Sequence, residues 1–243
     1  MGLKDGLFAG AALFFFALSS TAQATEIRLI APHLPPFASA DEGEPKGFMV
    51  ETLLAVARAV GHSGKVSIVP IPRMLQEMAV GTRMISSFTA RIPEREGKFA
   101  WLDPGVEEVL SFATLSGQAG LTLETARNLK TIGTIMNGVP ENFLRRHGFD
   151  NFDSATTEDA SLRKLLVGRI DAWFTSRWVI PVVMARENVP PDRIILSDPI
   201  TRYPLNFAAT LDIPEEELAP WRRALADFRA SGGVDRLIAT YRP

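Results

Sequence analysis

The chain of 243 residues carries 26 Lys and Arg residues and 28 Asp and Glu residues, a formal net charge of −2. This balance gives no basis for a nucleic-acid-binding surface, because such a surface needs clustered positive charge. There is no cysteine, which excludes disulfides, thiolate catalysis and cysteine-ligated metals. The three histidines lie far apart without the spacing of a metal site, so we predict neither a metal nor a cofactor.

The first 24 residues have the pattern of an export signal. Lys4 precedes an apolar or small-residue run from position 7 to 18, and Ala22-Gln23-Ala24 then matches an A-x-A cleavage site. The run is shorter than the roughly 20 residues that span a bilayer. We predict a cleaved signal peptide and a periplasmic protein, since an exported chain without cysteine suits that compartment. An uncleaved anchor is the alternative.

The first third of the chain alternates between strands and helices. Apolar residues recur at helical spacing from Met49 to Val60, and Gly61 would end that helix. A second, shorter helix is predicted over 73–80. Strands are predicted at 26–31, 65–69 and 84–88. This order is typical of a parallel sheet covered by helices.

The rest of the chain repeats this alternation. We predict one helix through Phe143 and Leu144 and a second one that ends at Gly168. A third helix is predicted over 177–187, where Pro181 would disturb it, and two more over 215–230 and 233–241. The predicted strands are 107–115, 131–136, 170–174, 194–196 and 205–211. A second α/β unit is therefore expected between residues 116 and 203.

Residues 85–104 carry the strongest local indication of a binding site. The predicted strand ends at hydroxyl-bearing residues and is followed by Pro93, which favours the first turn of a helix carrying Arg91 and Arg95. Small donors near a guanidinium suit a carboxylate, because arginine binds that group through two parallel hydrogen bonds. The alternative is that both arginines form ion pairs with acidic neighbours on a solvated face.

Five segments, in this order, resemble the periplasmic solute-binding proteins of family 3, which serve polar amino acid ABC transporters. They are LPPFAS at 34–39, GFMVETL at 47–53, PERE at 93–96 with Phe99 and Asp103-Pro104 after it, LLVGRIDA at 165–172, and ALADFRASGGVDRLIATY at 224–241. The segments span nearly all of the mature chain, and the PERE region resembles a divergent branch.

The resemblance implies an α/β, periplasmic-binding-protein-like fold with two α/β lobes joined by two crossing strands and a ligand cleft between them. Lobe 1 is expected over 25–112, completed by 206–243, and lobe 2 over 113–205. The implied function is capture of a small polar, carboxylate-bearing solute and delivery to an ABC transporter permease. We expect a monomer with no nucleic-acid partner.

The resemblance also implies residues for the site. In the family, the arginine at the position of Arg95 grips the α-carboxylate of the ligand, and the preceding strand end supplies hydroxyls and amides. Asp171 is read as structural, and Glu51 as part of a helix start. The residues predicted to bind the ligand are Leu34, Phe37, Arg73, Ser87, Phe88, Thr89, Arg91, Arg95, Gly138, Val139, Thr175 and Ser176.

The chain departs from the family where an aspartate usually pairs with the ligand's α-ammonium, because that position is Ser176. A serine neutralises no charge, and Arg177 lies beside it in sequence. A desolvated ammonium without a carboxylate partner is strongly disfavoured. We therefore expect an anionic solute that lacks the usual ammonium or keeps it outside the cleft.

Two other functions remain open. A ligand-sensing module that docks on a membrane receptor would have the same sequence features. An enzyme resembling cyclohexadienyl dehydratase is the other alternative, although the chain has no Gly-x-Ser-x-Gly elbow and no phosphate-binding loop. We predict a binding protein without catalytic residues.

Overall fold

The computed structural model describes residues 26–40, 43–118 and 120–241. The predicted signal peptide, residues 1–24, lies outside these ranges. The helices are α1 (Phe48–Ala59), α2 (Ile71–Val80), α3 (Val139–Arg146), α4 (Glu158–Leu166), α5 (Val179–Arg186), α6 (Glu215–Ala230) and α7 (Gly233–Tyr241). The strands are β1 (Arg28–Pro32), β2 (Val66–Val69), β3 (Met84–Ala90), β4 (Ala100–Leu115), β5 (Ile132–Ile135), β6 (Phe152–Ala155), β7 (Ala172–Ser176), β8 (Ile194–Leu196) and β9 (Thr201–Ala209).

The strands form one mixed sheet in the order β2-β1-β3-β9-β4-β7-β5-β6, with β8 paired to β4. Strand β1 pairs in parallel with β2 and β3, and β5 pairs in parallel with β6 and β7. The long strands β9 and β4 lie between these two parallel groups and run antiparallel to each other. This arrangement confirms the predicted α/β fold with two lobes and two crossing strands. The predicted lobe boundaries stay a prediction.

The helices cover the sheet through their apolar faces. In α1, Met49, Leu53, Val56 and Ala57 are buried, which follows the predicted helical spacing. Helix α1 contacts α6 and α7. Near its start, Glu51 accepts a hydrogen bond of 3.1 Å from the backbone N–H of Gly47, so its predicted role in a helix start is confirmed.

Strand β4 begins seven residues before its predicted start at position 107. Its pairing with β9 shifts register between Leu102 and Val106, where Gly105 has a φ of +76°. Glycine adopts this left-handed conformation without the steric penalty of other residues. The strand therefore passes through Asp103-Pro104-Gly105.

Three other predictions of local structure need correction. Pro181 does not disturb α5, because it is the third residue of that helix, where the backbone N–H has no intrahelical partner to lose. The segment Pro93–Arg95 is a single 3₁₀ turn. Strand β6 was missed, because its FDSA sequence lacks an apolar run.

In the described part of the chain, no helix has the length and apolar character needed to cross a membrane.

Candidate functional site

Two adjoining cavities form a cleft at the carboxyl ends of β3, β5 and β7. The inner cavity has a volume of about 60 Å³ and the outer one about 690 Å³. Both are lined by Leu34, Ile71, Ile135, Asn137, Glu158 and Val179. The carboxyl ends of parallel strands are a common place for ligands in α/β proteins, because loops and helix starts converge there. We call these two cavities the cleft.

Arg95 supplies the positive charge of the inner cavity. It ends the 3₁₀ turn after β3, and its Nη1 atom donates a hydrogen bond of 3.0 Å to the backbone oxygen of Ala90. Burial lowers the pKa of Arg95, and the charge of Glu94 opposes this effect. Arginine stays protonated in proteins, yet no carboxylate of the described residues lies within 4.0 Å of this guanidinium. Its charge is therefore available to an anion.

The end of β3 presents a mixture of polar and aromatic groups. The pairing of β3 with β9 shifts between Ser86 and Thr89, and such an irregularity re-aims the side chains that follow it. Thr89 and Phe88 line the inner cavity. The Thr89 hydroxyl lies 2.6 Å from that of Ser86 and donates to the backbone oxygen of Phe88 at 2.8 Å.

The structure brings eight of the twelve predicted ligand-binding residues to the inner cavity. These residues are Leu34, Phe88, Thr89, Arg95, Gly138, Val139, Thr175 and Ser176. Phe37 and Ser87 are instead fully buried and line neither cavity. Phe37 packs against Phe88, with ring centroids 4.5 Å apart, so it supports the wall of the cleft from behind.

The two remaining predicted residues lie at the protein surface. Arg73 donates to Glu77 at 2.8 Å, and Arg91 donates to Glu96 at 2.7 Å. Neither arginine lines the cleft. The contact of Arg91 matches the alternative stated from the sequence, in which it forms an ion pair with an acidic neighbour, and the prediction that Arg73 binds the ligand is wrong.

Arg177, which follows Ser176 in sequence, does not line the cleft. Its Nε atom donates to the hydroxyl of Ser111 at 2.7 Å, and its Nη2 atom donates to the backbone oxygen of Ser197. It therefore ties β7 to β4 and to the segment after β8. Asp171 is structural as predicted, because its Oδ2 atom accepts a 2.9 Å hydrogen bond from the backbone N–H of Thr131.

The start of α3 forms another part of the inner cavity. Asn137 has a φ of +58°, and its backbone N–H donates to Glu141 at 2.9 Å. A side chain at Gly138 would approach Ile135 to 2.4 Å, so glycine is required there. Val139 and Pro140 add apolar surface to the cavity and carry no hydroxyl group.

A buried carboxyl group at Glu108 was missed by the sequence analysis. Glu108 lines the inner cavity and is 5 % exposed. Its Oε1 atom accepts hydrogen bonds from the Ser176 hydroxyl at 2.6 Å and from the backbone N–H of Val109 at 2.9 Å. Burial raises the pKa of Glu108 to about 8, with a further increase from the charge of Glu158, against the lowering effect of these hydrogen bonds.

Glu158 is the second buried carboxyl group that the sequence analysis missed. It lines both cavities and is 8 % exposed. Its two oxygens accept hydrogen bonds of 3.0 Å from the Trp173 indole and the Thr175 hydroxyl. Burial raises the pKa of Glu158 to about 7, although both hydrogen bonds oppose the increase and the charge of Asp159 adds to it.

These two residues correct the argument made from Ser176. The serine neutralises no charge itself, but its hydroxyl contacts a carboxyl group of the cleft wall. The sequence held one indication that Glu108 is buried. Along β4, Glu108 lies two residues from Val106 and two from Leu110, and these apolar residues share the inward face of the strand. Glu158 was hidden because an acidic first turn is expected of any helix.

Comparisons with known proteins agree with this architecture. No family model matches the chain. Over 211 residues the chain is 22 % identical to a probable amino-acid-binding protein, YxeM, of Bacillus subtilis, covering 85 % of this chain and 79 % of that protein. This likeness extends over most of both chains and is consistent with the resemblance to solute-binding proteins found in the sequence.

Solved structures with this fold include proteins of different roles. A histidine kinase sensor domain similar to periplasmic binding proteins matches with a TM-score of 0.77 at 18 % identity, covering 88 % of this chain and 95 % of that one. A proposed binding component of an ABC transporter from Wolinella succinogenes, complexed with lysine, matches with 0.75 at 21 % identity, covering 89 % and 95 %.

A third structure has the same fold and a link to an enzyme. It is AncCDT-1, an ancestral amino acid-binding protein described as a precursor of cyclohexadienyl dehydratase. Its TM-score is 0.72 at 20 % identity, covering 89 % of this chain and 95 % of that one. At these identities the three structures establish the fold alone.

Proposed function

We propose that this protein is a periplasmic solute-binding protein that captures a small polar, carboxylate-bearing solute of the amino-acid type in the cleft. The observation that carries the proposal is Arg95, which has no carboxylate partner within the described ranges. A solute carboxylate would supply the missing negative charge and bind the guanidinium through two hydrogen bonds. Thr89, which also lines this cavity, would contribute a hydroxyl.

The proposed role in transport is delivery of the solute to an ABC transporter permease. Support comes from the resemblance of the chain to YxeM and from the Wolinella succinogenes protein with the same fold. Docking on a membrane receptor is the second candidate, favoured by the kinase sensor domain with this fold. A pull-down from membranes with the closed, ligand-bound protein would separate the two, because a permease and a receptor kinase differ in mass and sequence.

We propose that the protein has no catalytic role. A dehydratase would release a product, whereas a binding protein returns its solute unchanged. Incubation with prephenate or arogenate, followed by mass spectrometry, tests this difference. Formation of phenylpyruvate or phenylalanine above the uncatalysed rate would overturn the assignment.

Closure of the cleft is expected to accompany binding. The lobes proposed over 25–112 with 206–243 and over 113–205 are joined through β4 and β9, so rotation within these strands would bring them together. Small-angle scattering should give a smaller radius of gyration with the solute than without it. Unchanged scattering at saturating solute would count against a hinge.

The test of the function itself is a search for the solute. Native mass spectrometry of protein purified from a periplasmic fraction would detect a co-purified small molecule. A thermal-shift screen of the twenty common L-amino acids and of simple organic acids follows, because ligand binding raises the melting temperature by mass action. Stabilisation by a member of either set supports the proposal, and stabilisation by none of them overturns it.

A further inference from the structure

Glu108 and Glu158 give the cleft a feature that the carboxylate-binding role of Arg95 leaves unexplained. We propose that these two side chains form a subsite for a cationic nitrogen of the bound solute. The inference rests on the proposed function, since it assigns the second charged group of the same solute. It applies to an α-ammonium or to a side-chain ammonium or guanidinium.

Glu108 has hydrogen-bonding capacity that the protein does not use. Both hydrogen bonds to its carboxyl group end on Oε1. Within the described ranges, Oε2 accepts no hydrogen bond, although the side chain as a whole is almost completely buried. Oε2 is not among the fully buried polar atoms that lack a partner, so it reaches the inner cavity that Glu108 lines. A donor on the solute would satisfy this oxygen.

The carboxyl group of Glu158 is held in a fixed position. Trp173 and Thr175 hold one oxygen each, so the carboxyl group cannot turn away from the cleft without losing both bonds. Each oxygen can accept a further hydrogen bond. Because Glu158 lines both cavities, it lies beside the path between the inner and the outer part of the cleft.

The described residues of the cleft wall provide no counter-ion for Glu108 or Glu158. Arg95, the one cationic side chain lining the inner cavity in the part of the chain that the structure describes, is not within salt-bridge distance of either glutamate. In the outer cavity, Arg186 pairs with Asp159 at 2.9 Å, and His33 is the remaining titratable group. Neutralisation of an ionised Glu108 or Glu158 therefore falls to the solute.

A proton is expected to leave when the cation binds. With pKa values of about 8 and 7, both carboxyl groups are largely protonated in the free protein at about pH 6.5. An ammonium favours the ionised carboxylate, so the carboxyl O–H bond breaks and the proton passes to solvent. At about pH 8.5 both groups are largely ionised while the α-ammonium of an amino acid is still mostly protonated, so proton release is small. Affinity should rise between these two pH values.

The experiment compares Glu108→Gln and Glu158→Gln with the wild-type protein. Glutamine keeps the shape and hydrogen bonds but cannot carry the negative charge. Glu107→Gln is the matched control, since Glu107 is an exposed residue of the same strand, 3.6 Å from Arg202. Titration calorimetry uses the tightest-binding of the twenty L-amino acids and the same acid without its α-amine, for example glutamate with glutarate or lysine with 6-aminohexanoate.

If the subsite exists, at least one of Glu108→Gln and Glu158→Gln should weaken the amino acid by about tenfold or more. It should leave the deaminated acid unchanged, and Glu107→Gln should affect neither. Calorimetry in two buffers of different ionisation enthalpy should show proton release by the wild type at about pH 6.5 that this variant reduces. For lysine, a retained response with 6-aminohexanoate would place the cation at the side-chain amine.

Wild-type affinity in both glutamine variants, or equal affinity for the amino acid and its deaminated analogue without any response to the variants, would overturn the subsite. Either result leaves the proposed function standing, because a solute still binds. Failure of every amino acid and organic acid to bind wild-type protein would overturn the proposed function and the subsite with it. Circular dichroism confirms that each variant is folded before it is compared.

Discussion

The two walls of the cleft hold charge in opposite ways. On one wall, Arg95 lies on a short 3₁₀ turn, half-buried, with a backbone oxygen as its hydrogen-bond partner. On the other, Glu108 and Glu158 are almost fully buried, and their pKa values are raised to about 8 and 7. The arginine keeps its charge because its pKa lies far above neutral pH. Burial raises the pKa values of the two carboxyl groups and so favours their protonated, neutral form.

This difference shows how a cleft can be built for a solute with two charged ends. The arginine offers a permanent charge, while the glutamates become charged when a cation approaches. Two permanently ionised carboxylates would need a counter-ion in the free protein. Protonation removes that need and leaves the wall stable until a solute binds.

The largest effect is expected from removal of the permanent charge. Arg95→Ala should weaken amino acid binding by about 2–5 kcal/mol, the usual consequence of breaking a buried charged pair. Arg95→Lys should also weaken it, because a point charge does not replace a planar fork. Titration calorimetry measures both, and Arg91→Ala is the control, since Arg91 pairs with Glu96 at the surface. Unchanged affinity of a folded Arg95→Ala protein would remove Arg95 from the site.

The second effect concerns the buried carboxyl groups in the free protein. Their folded pKa values lie above the ordinary glutamate value of 4.5, so between about pH 5 and 8 the folded state binds more protons than the unfolded state. Stability from this source should therefore fall as pH rises through that window. The double variant Glu108→Gln/Glu158→Gln should remove most of this decrease, which amounts to a few kcal/mol at about 1.4 kcal/mol per pKa unit.

Urea unfolding at about pH 5.5 and pH 8.5 measures this change in the free energy of unfolding. Glu107→Gln should keep the pH dependence of the wild type, because its side chain is exposed. An identical pH dependence in the wild type and the double variant would mean that the two carboxyl groups are ionised in the free protein. The contrast between the two walls would then disappear.

A smaller effect is expected from substitution of Arg177. This substitution tests whether Arg177 has a structural role and not a ligand-binding one. Arg177→Ala removes the donors to Ser111 and Ser197 and should lower the free energy of unfolding by about 1–3 kcal/mol. Amino acid affinity should stay within about twofold of wild type when measured well below the melting temperature. A specific loss of affinity with unchanged stability would place Arg177 in the cleft.

The smallest effect is expected where the two walls meet at the surface. Arg146, at the end of α3, forms an ion pair with Glu94 of the 3₁₀ turn that carries Arg95. Both side chains are partly exposed, so Glu94→Gln should change affinity by at most about 1 kcal/mol, and less at high salt. A change as large as that of Arg95→Ala would mean that this contact holds the cleft closed.

The sequence by itself determined the strand and helix order except for β6, because local periodicity and helix stops are properties of neighbouring residues. Apolar spacing over Met49–Val60 predicted α1, and the segments shared with family 3 predicted the α/β fold with two lobes. The PERE segment also predicted Arg95 as a ligand-binding residue, because a short motif can be recognised from residues that are neighbours in sequence.

The tertiary structure decided which charged residues share the cleft. Arg91 and Arg95 are four residues apart, yet Arg91 pairs with Glu96 at the surface while Arg95 lines the cavity. Glu108 of β4 meets Ser176 across 68 positions of sequence, and Glu158 meets Thr175 from the start of α4. No local pattern contains these contacts, because they depend on how β4, α4 and β7 pack together. Because this packing buries Glu108 and Glu158, their pKa values rise and both side chains hold protons near neutral pH.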